Sequence, residues 1–228
     1  MIQASGTLYQ IEASIQGALN RPLPGASTHR LLAPRPRHGW DPGKIPLEAR
    51  SAAALVLLFP LSEEVHTLLT VRGDHLSQHA DQVSFPGGRL EPNETVRDAV
   101  LRESHEEVGL DPRRVRLIGA LSPLYIPASG FALFPVIGIA DSRPKFLSKT
   151  TEVKRILEIP MSTLIGSEDL HLGYRVYKND SYRVPYFNVE DERVWGATAM
   201  ILGELLTVIG TSLRDPWLLD GLGPVAAT

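Results

Sequence analysis

Glu103, Glu106 and Glu107 stand within five positions of one another, downstream of Gly87-Gly88 and Glu94. On a helix, about 100° per residue puts Val96, Ala99 and Val100 on one stripe and carries Glu103 and Glu107 onto it, with Glu106 beside them. An apolar stripe that turns acidic is a poor way to finish a core helix. Carboxylates this close repel one another, and burying them unpaired costs on the order of several kcal/mol, so they need solvent or a cation. Hard oxygen ligands suit Mg²⁺ or Mn²⁺, typically held by one or two carboxylates together with waters and substrate phosphates. Such a cation neutralises phosphate oxygens, acidifies a bound water and orients it for in-line attack. Gly87-Gly88 would let the backbone approach metal or phosphate closely. The ordinary alternative is a solvated acidic helix end in which Arg102 and Glu106 form an i,i+4 ion pair.

The spacing resembles the Nudix box: a glycine, five residues, Glu, seven residues, Arg-Glu, an aliphatic, any residue, Glu-Glu, any residue, Gly and an aliphatic. Gly88, Glu94, Arg102-Glu103, Glu106-Glu107, Gly109 and Leu110 fill its charged, glycine and terminal positions. Ser104 departs from the pattern, standing where the family usually has an aliphatic or small residue, and a small residue can still pack there. The resemblance implies an α/β/α sandwich with a mixed β-sheet. It also implies an enzyme, a pyrophosphohydrolase that uses Mg²⁺ or Mn²⁺ on a nucleoside diphosphate linked to another moiety. It assigns Glu103 and Glu107 as primary metal ligands and Glu106 as a further ligand or water activator. Arg102 would orient a glutamate, with Glu94 in support. The general base differs between Nudix subfamilies; Glu152, in Thr-Glu-Val-Lys-Arg-Ile-Leu-Glu-Ile-Pro, is the candidate, and an exposed strand or loop charge is its alternative.

The run from Leu68 to Gly88 looks like the signature of the coenzyme A pyrophosphatase branch. Leu68, Leu69, Thr70, Arg72, His79, Val83, Phe85 and Pro86 match it, whereas Asp81 stands where that branch usually has glycine. Asp adopts fewer backbone conformations than glycine and adds a negative charge near a polyphosphate. Leu124 to Phe131, Pro135-Val136 and Val194 to Ala199 resemble the same branch, so the likeness covers roughly residues 50–210. It implies cleavage of coenzyme A to 4′-phosphopantetheine and adenosine 3′,5′-bisphosphate, with Arg72, His79, Gly87 and Gly88 toward substrate. Arg72 has the fork that suits phosphate oxygens, its alternative being a surface arginine at a strand end. His79 is either a phosphate-side donor or a loop histidine satisfied by backbone, and Trp195 is read as core rather than as an adenine stack. ADP-ribose, NADH or a nucleotide sugar is the alternative substrate, and a non-catalytic nucleotide-binding module the alternative of another class.

The remaining composition narrows the setting. A net charge of −3 and a pI near 6.2 provide no basic field for nucleic acid, so a small-molecule nucleotide must be recognised locally. The absence of cysteine excludes disulfides, a thiol nucleophile and cysteine-ligated zinc. No secretory signal is read at the N-terminus, and apolar stretches such as 52–60 fall short of the roughly 20 residues that span a bilayer, so no membrane association and a cytoplasmic location are expected.

Several elements must position the acidic cluster. Ile11, Ile15 and Leu19 mark a helix over 8–19, followed to about residue 50 by a Pro-, Gly- and Arg-rich extended segment; these pack on a domain spanning 51–228. The runs 53–59 and 65–71 read as paired strands joined by a turn at 60–64, and 73–82 as a loop. Thr95 is a plausible N-cap and Gly109 a helix end. Two strands are expected over 115–139, broken at 123–130, then a hairpin of 174–177 with 182–187 and a helix over 196–209. A homodimer would use Ile11, Ile15 and Leu19 or the tail at 217–222, unless those residues pack within the chain.

Overall fold

A computed structural model of the protein describes residues 7–73, 82–148, 152–165, 170–177, 180–213 and 215–216. Strand β1 (Arg50–Leu61) is the spine of an eight-stranded mixed sheet. It runs antiparallel to β2 (Glu64–Arg72) at one end and to β4 (Gly87–Arg89) at the other, and parallel to β7 (Phe131–Ile139) from Arg50↔Phe131 to Leu58↔Ile139. β2 also pairs with β3 (Val83–Ser84) and β8 (Val153–Pro160), and β7 with β5 (Arg116–Ala120) and β6 (Leu124–Ile126).

The near-continuous apolar run of β1 follows from burial on both faces. Ala53, Leu55, Leu57 and Phe59 pack with Ala99, Val100 and Val108 of α3 (Val96–Val108). Ala54, Val56 and Leu58 share the opposite core with α1 (Leu8–Leu19), α2 (Gly25–Leu32) and α5 (Gly196–Val208). This is the expected α/β/α sandwich with a mixed sheet. A short helix α4 (Met161–Ile165) follows β8. β9 (Leu170–Tyr177), β10 (Asp180–Val189) and β11 (Glu192–Trp195) form a separate antiparallel sheet in the order β11-β10-β9.

The structure departs from the sequence reading in particular places. The β1–β2 turn narrows to Ser62-Glu63, both at positive φ (51° and 68°), as a two-residue hairpin turn requires. Residues 115–139 give three strands rather than two, because Leu124–Ile126 turns back to pair with the start of β7. The hairpin near 174–187 gains β11 as a third strand.

The stretch after α1 is not wholly extended. It contains α2, an eight-residue helix with no side-chain cap and no acid in its first turn, so it has little intrinsic support. Packing supplies the rest: Thr28, His29 and Leu32 are buried, and a Cβ at Gly203 of α5 would lie 2.1 Å from Leu32 Cδ1. His29 Nε2 lies 3.0 Å from Glu204 Oε2, also on α5.

α1 begins with a capping box between Thr7 and Gln10, and Ile11 and Ile15 are 2% and 0% exposed. Those two side chains are consumed inside the chain and are not free for a dimer interface; the tail at 217–222 lies outside the described residues. Among the described residues no helix is long and apolar enough to cross a membrane.

Candidate active site

α3 is delimited by its own caps. Thr95 accepts from the Asp98 N–H at 3.2 Å, and Gly109 at φ 69° donates its N–H to the His105 and Ser104 carbonyls. Ser104 is fully buried and donates to the Val100 carbonyl at 2.7 Å, so the polar departure from the box costs no unpaired group. Ala99 and Val100 anchor the first half of the helix, and the same stripe then delivers Glu103 and Glu107 to β4.

Close approach there depends on two glycines. Gly87 pairs with Ala54 and Gly88 with Ala53. At Gly87, φ is 155° and a Cβ would lie 2.1 Å from the Ala53 carbonyl oxygen; at Gly88 a Cβ would lie 2.4 Å from Glu103 Oε1. A side chain at Gly87 would force β4 off the β1 backbone, and one at Gly88 would displace the Glu103 carboxylate.

The carboxylates occupy three environments. Glu94 and Glu103 are joined by Arg102, whose Nε and Nη2 donate to the two Glu94 oxygens at 2.8 and 2.9 Å while Nη1 donates to Glu103 at 3.0 Å. Nη1 also reaches Glu106 at 3.2 Å, so the i,i+4 pair exists as one arm of a larger knot, and Glu106 remains the outermost, its side chain 53% exposed. The Arg102 guanidinium, helped by the Glu91 N–H, holds the Glu94 carboxyl down at about 2. At Glu103, burial outweighs Arg102 and pushes the carboxyl up, with Glu106 and Glu152 adding repulsion.

Glu107 is the buried member, 8% exposed, and accepts from the Gly87 N–H at 3.2 Å. Burial pushes its carboxyl to about 7; the Gly87 N–H and Arg72 oppose this, and the Glu103 and Glu152 charges add to it. Glu152 is exposed, one residue before β8, and sits there because Val153 pairs with Arg72 while Gly73 donates its N–H to the Glu152 carbonyl at 2.8 Å. Arg72 Nε is buried with no hydrogen-bond partner among the described residues.

The fold thus gathers Arg72, Gly87, Gly88, Glu94, Arg102, Glu103, Glu106, Glu107 and Glu152, while His79 and Asp81 lie outside the described residues. Sequence reasoning missed the Arg89 carbonyl, which accepts from Arg102 Nη2 at 3.2 Å, and the Glu91 N–H on Glu94. Both are backbone groups, one at the end of β4 and one in the loop after it, and no residue type announces them.

A family model described as the NUDIX domain matches residues 49–134, from the entry into β1 to the first half of β7. The uncharacterized Nudix hydrolase NudL of Shigella flexneri is 37% identical over 175 residues, covering 73% of this chain and 86% of that protein. The chain belongs to the Nudix hydrolase family. NudL of Escherichia coli O7:K1 is 37% identical over 172 residues, covering 72% of this chain and 85% of its own length. Among solved structures, a MutT/nudix family protein from Enterococcus faecalis matches 79% of this chain and 70% of its own with 16% identity and a TM-score of 0.48.

As a Nudix hydrolase the protein acts on a nucleoside diphosphate derivative, and Nudix hydrolases generally use divalent metal ions such as Mg²⁺ or Mn²⁺. The donor set fits such an ion: Glu103 and Glu107 are desolvated, repel one another and have few donors of their own. No three His, Asp or Glu side chains converge as a ready-made cage among the described residues. Mg²⁺ does not need one, since it keeps waters and takes one or two carboxylates plus substrate phosphates.

Proposed function

We propose that this Nudix hydrolase cleaves the pyrophosphate of coenzyme A or its derivatives, releasing 4′-phosphopantetheine and adenosine 3′,5′-bisphosphate. The observation that carries the chemistry is the pair of desolvated carboxylates, Glu103 and Glu107, brought against the Gly87-Gly88 turn. Support for the substrate comes from the matched positions Leu68 to Thr70, Arg72, Val83, Phe85 and Pro86, which run along β2 and β3 into that turn.

Glu103 and Glu107 would hold Mg²⁺ or Mn²⁺, with Glu106 as a further ligand. When bound, the ion supplies neutralisation of phosphate oxygens and a more acidic water. The chain's own residues do the rest. Arg102 fixes Glu103 relative to Glu94, and the Gly87 N–H fixes Glu107. Arg72, beside Glu107 with a buried Nε that has no partner among the described residues, forks the oxygens of the scissile pyrophosphate. Glu152, exposed and within the field of both glutamates, accepts the proton of the attacking water.

Incubation with Mg²⁺ or Mn²⁺ and a panel of coenzyme A, ADP-ribose, NADH and a nucleotide sugar, with product identification, tests the reading. Turnover of coenzyme A to the two named products is expected. Turnover of ADP-ribose with none of coenzyme A overturns the substrate, and nucleotide binding without any turnover returns the non-catalytic alternative.

A further inference from the structure

The small sheet presents a face that the hydrolytic site does not use. Cross-strand register places His171, Tyr186 and Trp195 in one row, with Arg175 opposite Tyr182 and Arg193 opposite Asn188. Arg175, on β9, reaches over β10 so that its guanidinium lies 4.5 Å from the centre of the Trp195 ring. Arg193, on β11, lies 5.0 Å from the centre of the Tyr186 ring. Neither arginine has a carboxylate partner among the described residues, and Glu190 and Glu192, at the β10–β11 turn, pair with Arg155 at 3.8 and 2.8 Å. Arg175 is disfavoured as a cation by its burial and by the charge of Arg193, so two guanidiniums share one small surface with no neutralising carboxylate among the described residues.

This face is tied to the strands that build the carboxylate site. Arg155, which holds Glu192, lies on β8 three residues beyond Glu152. Trp195 immediately precedes α5, and Thr198 of that helix donates to the Val83 carbonyl at 2.8 Å, four residues before Gly87.

We propose that the arginine–aromatic face formed by Arg175, Arg193, Trp195 and Tyr186 binds a phosphate monoester of the substrate, remote from the bond that is cleaved. The assignment rests on the coenzyme A reading, in which that group is the 3′-phosphate. A guanidinium laid on a ring is oriented by it and keeps its N–H edge free for paired bonds to phosphate oxygens. Two such edges carrying uncompensated like charge match a dianion. A neutral sugar or amide would leave that repulsion in place.

The test is calorimetric titration of the full chain with adenosine 3′,5′-bisphosphate and with AMP, in wild type, Arg175→Ala, Arg193→Ala and Arg175→Lys. Wild type should bind the bisphosphate about 10- to 100-fold more tightly than AMP, as charge-assisted bonds to one further phosphate imply. Each alanine variant should cut that ratio by about tenfold, and Arg175→Lys should restore it only in part, because an ammonium lacks the planar fork. In hydrolysis, the preference for coenzyme A over 3′-dephospho-coenzyme A should fall in the same variants, through KM. A ratio unchanged in both alanine variants overturns the proposal, even if coenzyme A is hydrolysed. An arginine-dependent bisphosphate preference in a protein that does not hydrolyse coenzyme A removes the substrate reading and leaves the phosphate site standing. Thermal melts of each variant establish folding; should Arg175→Ala unfold, Arg193→Ala decides by the same ratio.

Discussion

α3 and α5 are both 13-residue helices, packed on opposite faces of one sheet, and each buries a glutamate. Glu204 of α5 is 0% exposed and meets three donor contacts, His29 Nε2 at 3.0 Å and the Ser122 N–H shared between its oxygens at 3.1 and 3.2 Å. Glu107 of α3 is 8% exposed and has one donor among the described residues, with like charges at Glu103 and Glu152. A buried acid whose lone pairs are filled by its own fold is a fastener. One left short of donors, among other acids, is held open for something that arrives from outside.

The contrast can be broken most sharply by removing each acid in turn. Glu107→Gln should lower metal-dependent hydrolysis by about three orders of magnitude, the scale of the several kcal/mol that a metal ion contributes. Full retention of rate in a steady-state assay would remove Glu107 from the chemistry. Glu204→Ala should instead cost stability, about 3–4 kcal/mol from the unfilled His29 and Ser122 donors, seen as a fall of about 10 °C in Tm.

A pH series sharpens the same comparison. With the folded Glu107 carboxyl at about 7 and its ordinary value at 4.5, the native state keeps a proton that the unfolded chain has released. Stability therefore declines as pH rises between those values, and metal-free Glu107→Gln should gain on wild type by on the order of 3 kcal/mol from pH 4.5 to 8. Denaturant melts at fixed pH read this directly, and added Mg²⁺ should shrink the gap.

Arg102→Lys keeps the charge but loses the fork that binds Glu94 and Glu103 together, so activity should drop about 10- to 100-fold. Ser104→Ala should have the smallest effect, within about 1 kcal/mol in a melt, because the hydroxyl only returns a bond to its own helix.

What could be read from the chain was whatever is local. The limits of α3 follow from Thr95 and Gly109, and its acidic stripe follows from spacing alone, as do the two outermost helices at 8–19 and 196–208. Glu152 is less legible because its place is set by β8 joining β2, a register written in contacts rather than in its own neighbours. α2 was missed for the same reason: its helical state is enforced by Gly203 and Glu204, some 175 positions away. The cation–ring face was equally hidden, since Arg175 and Trp195 meet only after three strands align.

The His29–Glu204 contact also sets an order of events during synthesis. At roughly 5–20 residues per second, the intervening 175 residues take on the order of 10–35 s to emerge. Throughout that interval α2 has no acid to grip, so the first fifty residues wait as an unfinished surface. The contact is completed only by α5, and a ribosome that stalls before Glu204 leaves the latch undone.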